Sequence, residues 1–225
     1  MESSKLRQEL QSYFDTVYPY SKVDTEHTLG GQIEIRFELG GDEFENATIE
    51  RVNQATDRAL TLFYDTFENL DKDIWVLIYE YEGENIFNAS NEYLHKQFPT
   101  DSFARFYNKL EQVNTRYIIT DKNGNDILEQ QEQRVIVGKL PVKDIDIKGI
   151  LIGITNTEMG FEPSISQCIY FFDFLTDKAF HIYDDRGCFV WSNSADKIRS
   201  IYMRRNDWIV DYHRLEIDEY FKIEK

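Results

Sequence analysis

Residues 168–193, CIYFFDFLTDKAFHIYDDRGCFVWSN, form the stretch that decides the fold. Three short runs rich in aromatic and β-branched residues are separated by turn signals at residues 176–178 and 185–187. Runs of this composition, bounded by turn-forming residues, are typical of β-strands. The stretch therefore predicts a three-stranded meander whose second turn carries a dense cluster of ionisable side chains.

Upstream of the meander, three segments have clear hydrophobic patterns. Residues 32–39 alternate strictly, with an apolar side chain at every odd position from Ile33, which predicts a half-buried strand. Residues 47–67 repeat apolar side chains at three- and four-residue steps, which predicts the main packing helix. Residues 74–81 are nearly all apolar, as expected of a central strand covered on both faces.

The segments between these elements have weaker patterns. We predict a helix over residues 91–113, interrupted at Pro99 because proline lacks a backbone donor. Residues 117–120 and 134–137 are predicted to be strands, joined by a long polar loop over 121–133.

Residues 144–156 fit two structures, because their β-branched content favours a strand while their apolar spacing favours a helix. A cap at Asp144 or Asp146 decides for the helix. Together the elements predict an α+β fold with a mixed, mainly antiparallel sheet and helices packed on one face. We predict a single domain over residues 1–225, with a change in acidity near Lys122 as the candidate sub-boundary.

The chain is strongly acidic. It has 25 basic and 41 acidic residues and a net charge of -16; 12 basic and 23 acidic residues lie up to Lys122, and 13 and 18 follow it. A field of this sign repels phosphate backbones, which argues against direct nucleic-acid binding. It attracts basic proteins and accelerates their encounter.

Features of a secreted or membrane-bound protein are not found in the sequence. The two cysteines, Cys168 and Cys188, are too few for a disulfide scaffold. No apolar run reaches the about 18 residues of a membrane span, and residues 1–14 do not resemble a signal peptide. We expect a cytoplasmic protein that does not bind membranes.

The second turn of the meander is the first candidate site, and its residues are His181, Tyr183, Asp184, Asp185 and Arg186. In a catalytic interpretation Asp185 orients His181 as a base and Arg186 binds an anion. In a metal-binding interpretation His181 and the two aspartates are ligands. In a structural interpretation the aspartates bond turn amides and Arg186 pairs with a carboxylate. The structural interpretation needs the fewest assumptions, so we assign no catalytic residue, metal or cofactor.

The second candidate site is an acidic ridge. It lies on the solvent-facing side of the first predicted strand and in the residues that directly follow this strand. We define it as Glu34, Glu38, Asp42, Glu43 and Glu45. A row of charges on an edge strand also discourages unwanted strand pairing, so a purely protective role is an alternative. As a functional surface, the ridge suits docking of a basic partner.

Four segments in this order resemble one known family. They are IRFELGG at residues 35–41, Arg58-Ala59, HIYDDRGC at 181–188 and NDWIVDY at 206–212. The chain resembles, over roughly residues 31–221, the bacterial family described as domain of unknown function 3885. The resemblance implies a cytoplasmic bacterial protein. It supplies no activity and no catalytic residues.

Two functional hypotheses follow. The first is a non-enzymatic binding protein, of immunity or antitoxin type, that blocks a basic toxin-like partner through the acidic ridge. The alternative is a small-molecule or metal-dependent enzyme centred on the YDDRG turn.

Overall fold

The computed structural model describes residues 2–81, 91–99, 112–120, 122, 124 and 126–222. Within these residues the chain forms six α-helices and seven strands, with short 3-10 turns between some of them. The helices are α1 (Glu2–Val17), α2 (Ile49–Thr66), α3 (Asn91–Lys96), α4 (Ile147–Thr157), α5 (Ala195–Arg204) and α6 (Arg214–Tyr220). The strands are β1 (Ile33–Glu38), β2 (Asp73–Tyr81), β3 (Gln112–Thr120), β4 (Asp126–Pro141), β5 (Cys168–Asp173), β6 (Lys178–Asp184) and β7 (Gly187–Ser192).

The seven strands form one sheet in the order β1-β7-β6-β5-β2-β4-β3, and every neighbouring pair is antiparallel. The predicted α+β class is confirmed, as is the meander, which is the run β5, β6 and β7. Strand β2 lies between β4 and β5, and its alternate residues are buried in two different cores, which explains why its sequence is apolar on both faces.

Two hydrophobic cores lie on opposite faces of the sheet. On one face, helices α2 to α6 cover alternate strand residues such as Phe37, Phe171 and Phe180. On the other face, α1 contributes to a core that includes Trp75 and Trp191, and its Phe14 contacts Phe172 on β5. Alternation along each strand divides the aromatic residues between the two faces. Most helices therefore share one face, as the sequence predicted, and α1 covers the other.

Local caps explain where two helices begin. The Thr48 hydroxyl accepts a hydrogen bond from the Arg51 amide at the start of α2. The Asp146 carboxylate accepts one from the Gly149 amide, 2.9 Å away, at the start of α4. Such caps satisfy amides that have no partner inside the helix. The choice of a helix over residues 144–156 is therefore confirmed.

Two predictions around the β3–β4 hairpin are wrong. Strand β4 begins at Asp126, so most of the loop predicted over 121–133 is strand. Strand β3 begins at Gln112, inside the predicted helix over 91–113; α3 ends at Lys96, and residues 100–111 lie outside the described residues. The polar residues fit a strand because ladder hydrogen bonds join backbones and require no apolar side chain.

The outer edge of β1 is partly covered by the segment 206–212. Phe37 and Ile209 form an antiparallel bridge, and the Val210 amide donates to the Arg36 carbonyl, 3.1 Å away. Trp208 lies between the guanidinium groups of Arg58 and Arg205 and is only partly buried. The segment occupies part of a strand edge that would otherwise present unpaired backbone groups.

None of the helices in the described residues is both long and apolar enough to cross a membrane.

Candidate functional site

The Asp184 carboxylate forms hydrogen bonds within its own turn. One carboxylate oxygen accepts from the Arg186 amide, 2.7 Å away, and the other accepts from Arg186 Nε, 2.9 Å away, and from Nη2. A bulge between Ile182 and Asp184 shifts the register before the turn. Asp184 and Arg186 therefore form the local pair that the structural interpretation predicted.

Asp185 points away from solvent and joins the turn to α2, which lies 134 residues earlier in the sequence. Its side chain is 0% exposed, and its Oδ2 lies 2.6 Å from Nε of Arg51 on α2. Arg51 Nη1 donates to the Gly41 carbonyl at 2.5 Å. Arg51 itself is buried, although it is a charged residue. The turn thus holds both α2 and the chain that leaves β1.

His181 is separated from the two aspartates. Its ring stacks on Tyr170 at a centroid distance of 3.9 Å, and its Nδ1 lies 2.9 Å from the Ile169 carbonyl. Burial lowers the pKa of His181, which favours the neutral ring. Tyr170 belongs to the core under α1, whereas Asp185 binds Arg51 on the other face. The His181–Asp185 pair of the catalytic interpretation is not formed.

The last residue of the predicted turn cluster, Tyr183, is also paired. Its hydroxyl accepts from Nε and Nη2 of Arg36, at 3.0 and 2.8 Å. No group of three or more His, Cys, Asp or Glu side chains within the described residues could hold a metal ion. The structure therefore separates the five predicted turn residues into distinct contacts.

Four of the five ridge residues lie together, and we call them the acidic segment: Glu38, Asp42, Glu43 and Glu45. All four are exposed, and within the described part of the chain none forms an ion pair. The backbone beneath them is held by α2. Arg58, Gln54 and Arg51 donate to consecutive carbonyls, those of residues 39, 40 and 41.

The fifth ridge residue, Glu34, lies in a different environment. It lines a cleft of about 360 Å³ between β1 and α6. The cleft is lined by Gly31, Gln32, Glu34, Arg36, Phe189, His213, Glu216, Ile217 and Tyr220. Burial and, secondarily, repulsion by Glu216 raise the pKa of Glu34 to about 7, against a smaller opposing effect of Arg36.

The opposite wall of this cleft was not predicted from the sequence. His213 Nδ1 is buried with no hydrogen-bond partner among the described residues. Glu216 accepts from the Tyr220 hydroxyl, 3.2 Å away, on the exposed side of α6. The one signal that the sequence offered is the four-residue spacing of Glu216 and Tyr220, which places both on one helix face. Nothing in that spacing indicates β1 as the neighbour.

We expect Glu34→Gln to change the pH dependence of stability. Between the ordinary pKa of a carboxyl group and about pH 7, Glu34 keeps its proton in the folded chain but loses it in the unfolded chain. The free energy of unfolding therefore falls as pH rises through this window. The variant should show a smaller fall and melt at a higher temperature than the native chain above pH 7. Thermal melts across this range test the expectation. Glu38→Gln, on the same strand but exposed, should leave the profile unchanged, and parallel profiles for native chain and Glu34→Gln would contradict the placement of Glu34.

The chain was compared with known proteins. A family model described as "Domain of unknown function (DUF3885)" matches residues 10–213. This range includes β1, the YDDRG turn and the segment 206–212. The chain is similar to "Uncharacterized protein YnaE" of Bacillus subtilis (strain 168), at 24% identity over 145 residues, which covers 58% of this chain and 68% of that protein. No solved structure matches the chain.

Proposed function

Because the chain belongs to the family described as "Domain of unknown function (DUF3885)", which names no activity, we propose a function from its geometry: a non-enzymatic binding protein that captures a basic protein. The binding surface is the acidic segment. The partner is toxin-like, a nuclease being an example, and the chain blocks it as an immunity or antitoxin protein does.

The main support for this proposal is that the carboxylates of the acidic segment face solvent, whereas the arginines beside them bind the protein's own backbone. The four carboxylates are exposed and unpaired within the described residues, while Arg51 and Arg58 are turned toward the protein to hold the segment's backbone. Fixing the backbone before binding reduces the entropy lost on association. The segment therefore offers a preorganised negative surface.

The charge of the whole chain supports the same partner. With a net charge of -16, the long-range field steers a basic protein toward the surface and raises its association rate. We place this encounter in the bacterial cytoplasm. Cys168 and Cys188 are not joined by a disulfide, in keeping with a reducing compartment.

The proposal is tested by neutralising the segment in the quadruple variant E38Q/D42N/E43Q/E45Q. The matched control E68Q/D144N/E162Q/D207N removes four exposed charges elsewhere on the surface. Each chain is immobilised, used to capture proteins from the native host at low salt, and then tested against the purified partner for association rate. Because steering depends on local charge, we expect a basic protein to bind the native chain and the control, and the quadruple variant to associate at least about tenfold more slowly.

High salt should release the partner, since screening weakens contacts between exposed charges. Equal capture by the two variants, or capture that is insensitive to salt, would contradict the acidic segment as the binding surface. Recovery of no basic protein at low salt would contradict the proposal as a whole.

A further inference from the structure

The cleft between β1 and α6 contains hydrogen-bond acceptors that the protein does not use. Glu34 forms no hydrogen bond or ion pair within the described residues, although it is half-buried. Buried polar groups in native proteins nearly always have partners. His213 Nδ1, on the opposite side, is buried and also has none among the described residues. The Glu34 carboxylate, which lines the cleft, therefore indicates a ligand that donates hydrogen bonds.

The charge of the cleft favours a cation. Glu34 and Glu216 come from opposite walls and are close enough for Glu216 to raise the pKa of Glu34. The cation in the lining, Arg36, directs Nε and Nη2 to the Tyr183 hydroxyl and lies over the rings of Tyr183 and Phe189. These contacts partly compensate the charge of Arg36. The carboxylates of Glu34 and Glu216, by contrast, have no cationic hydrogen-bond partner in the described residues.

The remaining walls suit an organic cation. Phe189 and Tyr220 add aromatic surface, and aromatic rings attract ammonium and guanidinium groups. A volume of about 360 Å³ is at the lower end of the range of small-molecule sites. Glu34, Glu216 and His213 all line the cleft, but no group of three His, Cys, Asp or Glu side chains within the described residues is placed to hold a metal ion.

We propose that this cleft binds an alkylammonium or guanidinium group, held by Glu34 and Glu216 and flanked by Phe189 and Tyr220. The site is separate from the acidic segment and does not depend on it. The group belongs to a free amine or to a lysine or arginine side chain, and the two sources share the same chemistry.

Binding of this kind depends on pH in a defined direction. The cation requires Glu34 to be ionised, so affinity falls as pH drops below about 7. The other titratable and charged groups facing Glu34 are Arg36, His213, Glu216 and Tyr220, with Tyr183 behind Arg36. A His213→Gln variant that keeps the same pH profile assigns the pH dependence to Glu34, whereas loss of the pH dependence in that variant would contradict this assignment.

The test is an amide NMR titration of the full chain at about pH 8, where Glu34 is ionised. The probes are pentylammonium, the neutral 1-pentanol of matched shape, and Nα-acetyl-lysinamide. We expect saturable shifts near residues 31–36 and 213–220 with a cation, and none with 1-pentanol. Binding of pentylammonium supports a free amine, whereas binding of the lysine derivative alone supports a side chain of a partner.

Variants distinguish the cleft from general attraction to an acidic protein. E34Q and E216Q should each weaken binding by at least about tenfold, as expected when a charge-assisted hydrogen bond is lost. E38Q and the quadruple acidic-segment variant should keep the native affinity, so this result is independent of the proposed partner binding. Failure of both cations to saturate, equal binding of 1-pentanol, or native affinity in both E34Q and E216Q would overturn the proposal.

Discussion

Asp185→Ala should destabilise the fold by about 3–5 kcal/mol, the usual effect of removing one partner of a buried ion pair. Arg51 is only 10% exposed at its side chain, and Asp185 is 0% exposed. Without the carboxylate, the Arg51 guanidinium stays buried with its charge uncompensated. Urea unfolding of the native and variant chains measures the difference.

Arg186→Ala is the matched control in the same turn. The Arg186 side chain is 60% exposed, so solvent screens its charge, and Asp184 keeps its hydrogen bond from the backbone amide of residue 186 in the variant. We therefore expect a smaller loss, about 1 kcal/mol. The double variant R51M/D185L should lose less stability than Asp185→Ala, because it removes the unpaired charge together with its partner. Recovery should be incomplete, since the Gly41 carbonyl also loses its donor. If Asp185→Ala costs no more than Arg186→Ala, the buried pair does not stabilise the turn.

Asp177→Ala should also be strongly destabilising, by about 3 kcal/mol, since hydrogen bonds to a charged group contribute about 1.5–3 kcal/mol each and are not additive. The buried Asp177 carboxylate receives bonds from three parts of the chain. The donors are the hydroxyls of Tyr13, Tyr18 and Ser192, the Asn193 amide and the Lys197 ammonium. The Tyr18 bond is 2.6 Å long and attaches α1 to the meander.

The backbone at Asp177 adds a second contribution, since its φ is 52°. Aspartate and glycine tolerate this left-handed conformation better than alanine, which should account for about 1 kcal/mol of the loss. Asp177→Gly removes the same hydrogen bonds without the strain and is the matched control. Chemical denaturation measures both, and amide exchange should show α1 opening first. Native exchange rates in α1 would contradict the role of Asp177 in docking this helix.

Local chemistry was enough to predict many of the elements. The alternation from Ile33 to Leu39 and the spacing along residues 47–67 depend only on the geometry of a strand and a helix. The Asp146 cap acts within three residues of its own position. The aromatic runs of residues 168–193 similarly predicted the meander and its turns. The same local rules missed most of β4, because its pairing with β3 comes from the backbone of another strand.

The candidate site depended on contacts between distant parts of the chain. Asp185 and Arg51 are 134 residues apart in sequence, and no periodicity specifies that one will neutralise the other. Glu34 and Glu38 look equivalent on one face of β1. They differ because α6 and His213 cover the first and leave the second exposed. The sequence by itself determined most of the elements outside the β3–β4 hairpin, the α+β class and the negative charge. Tertiary packing alone decided which carboxylates are buried, because desolvation and ion pairing depend on the neighbours that folding brings together.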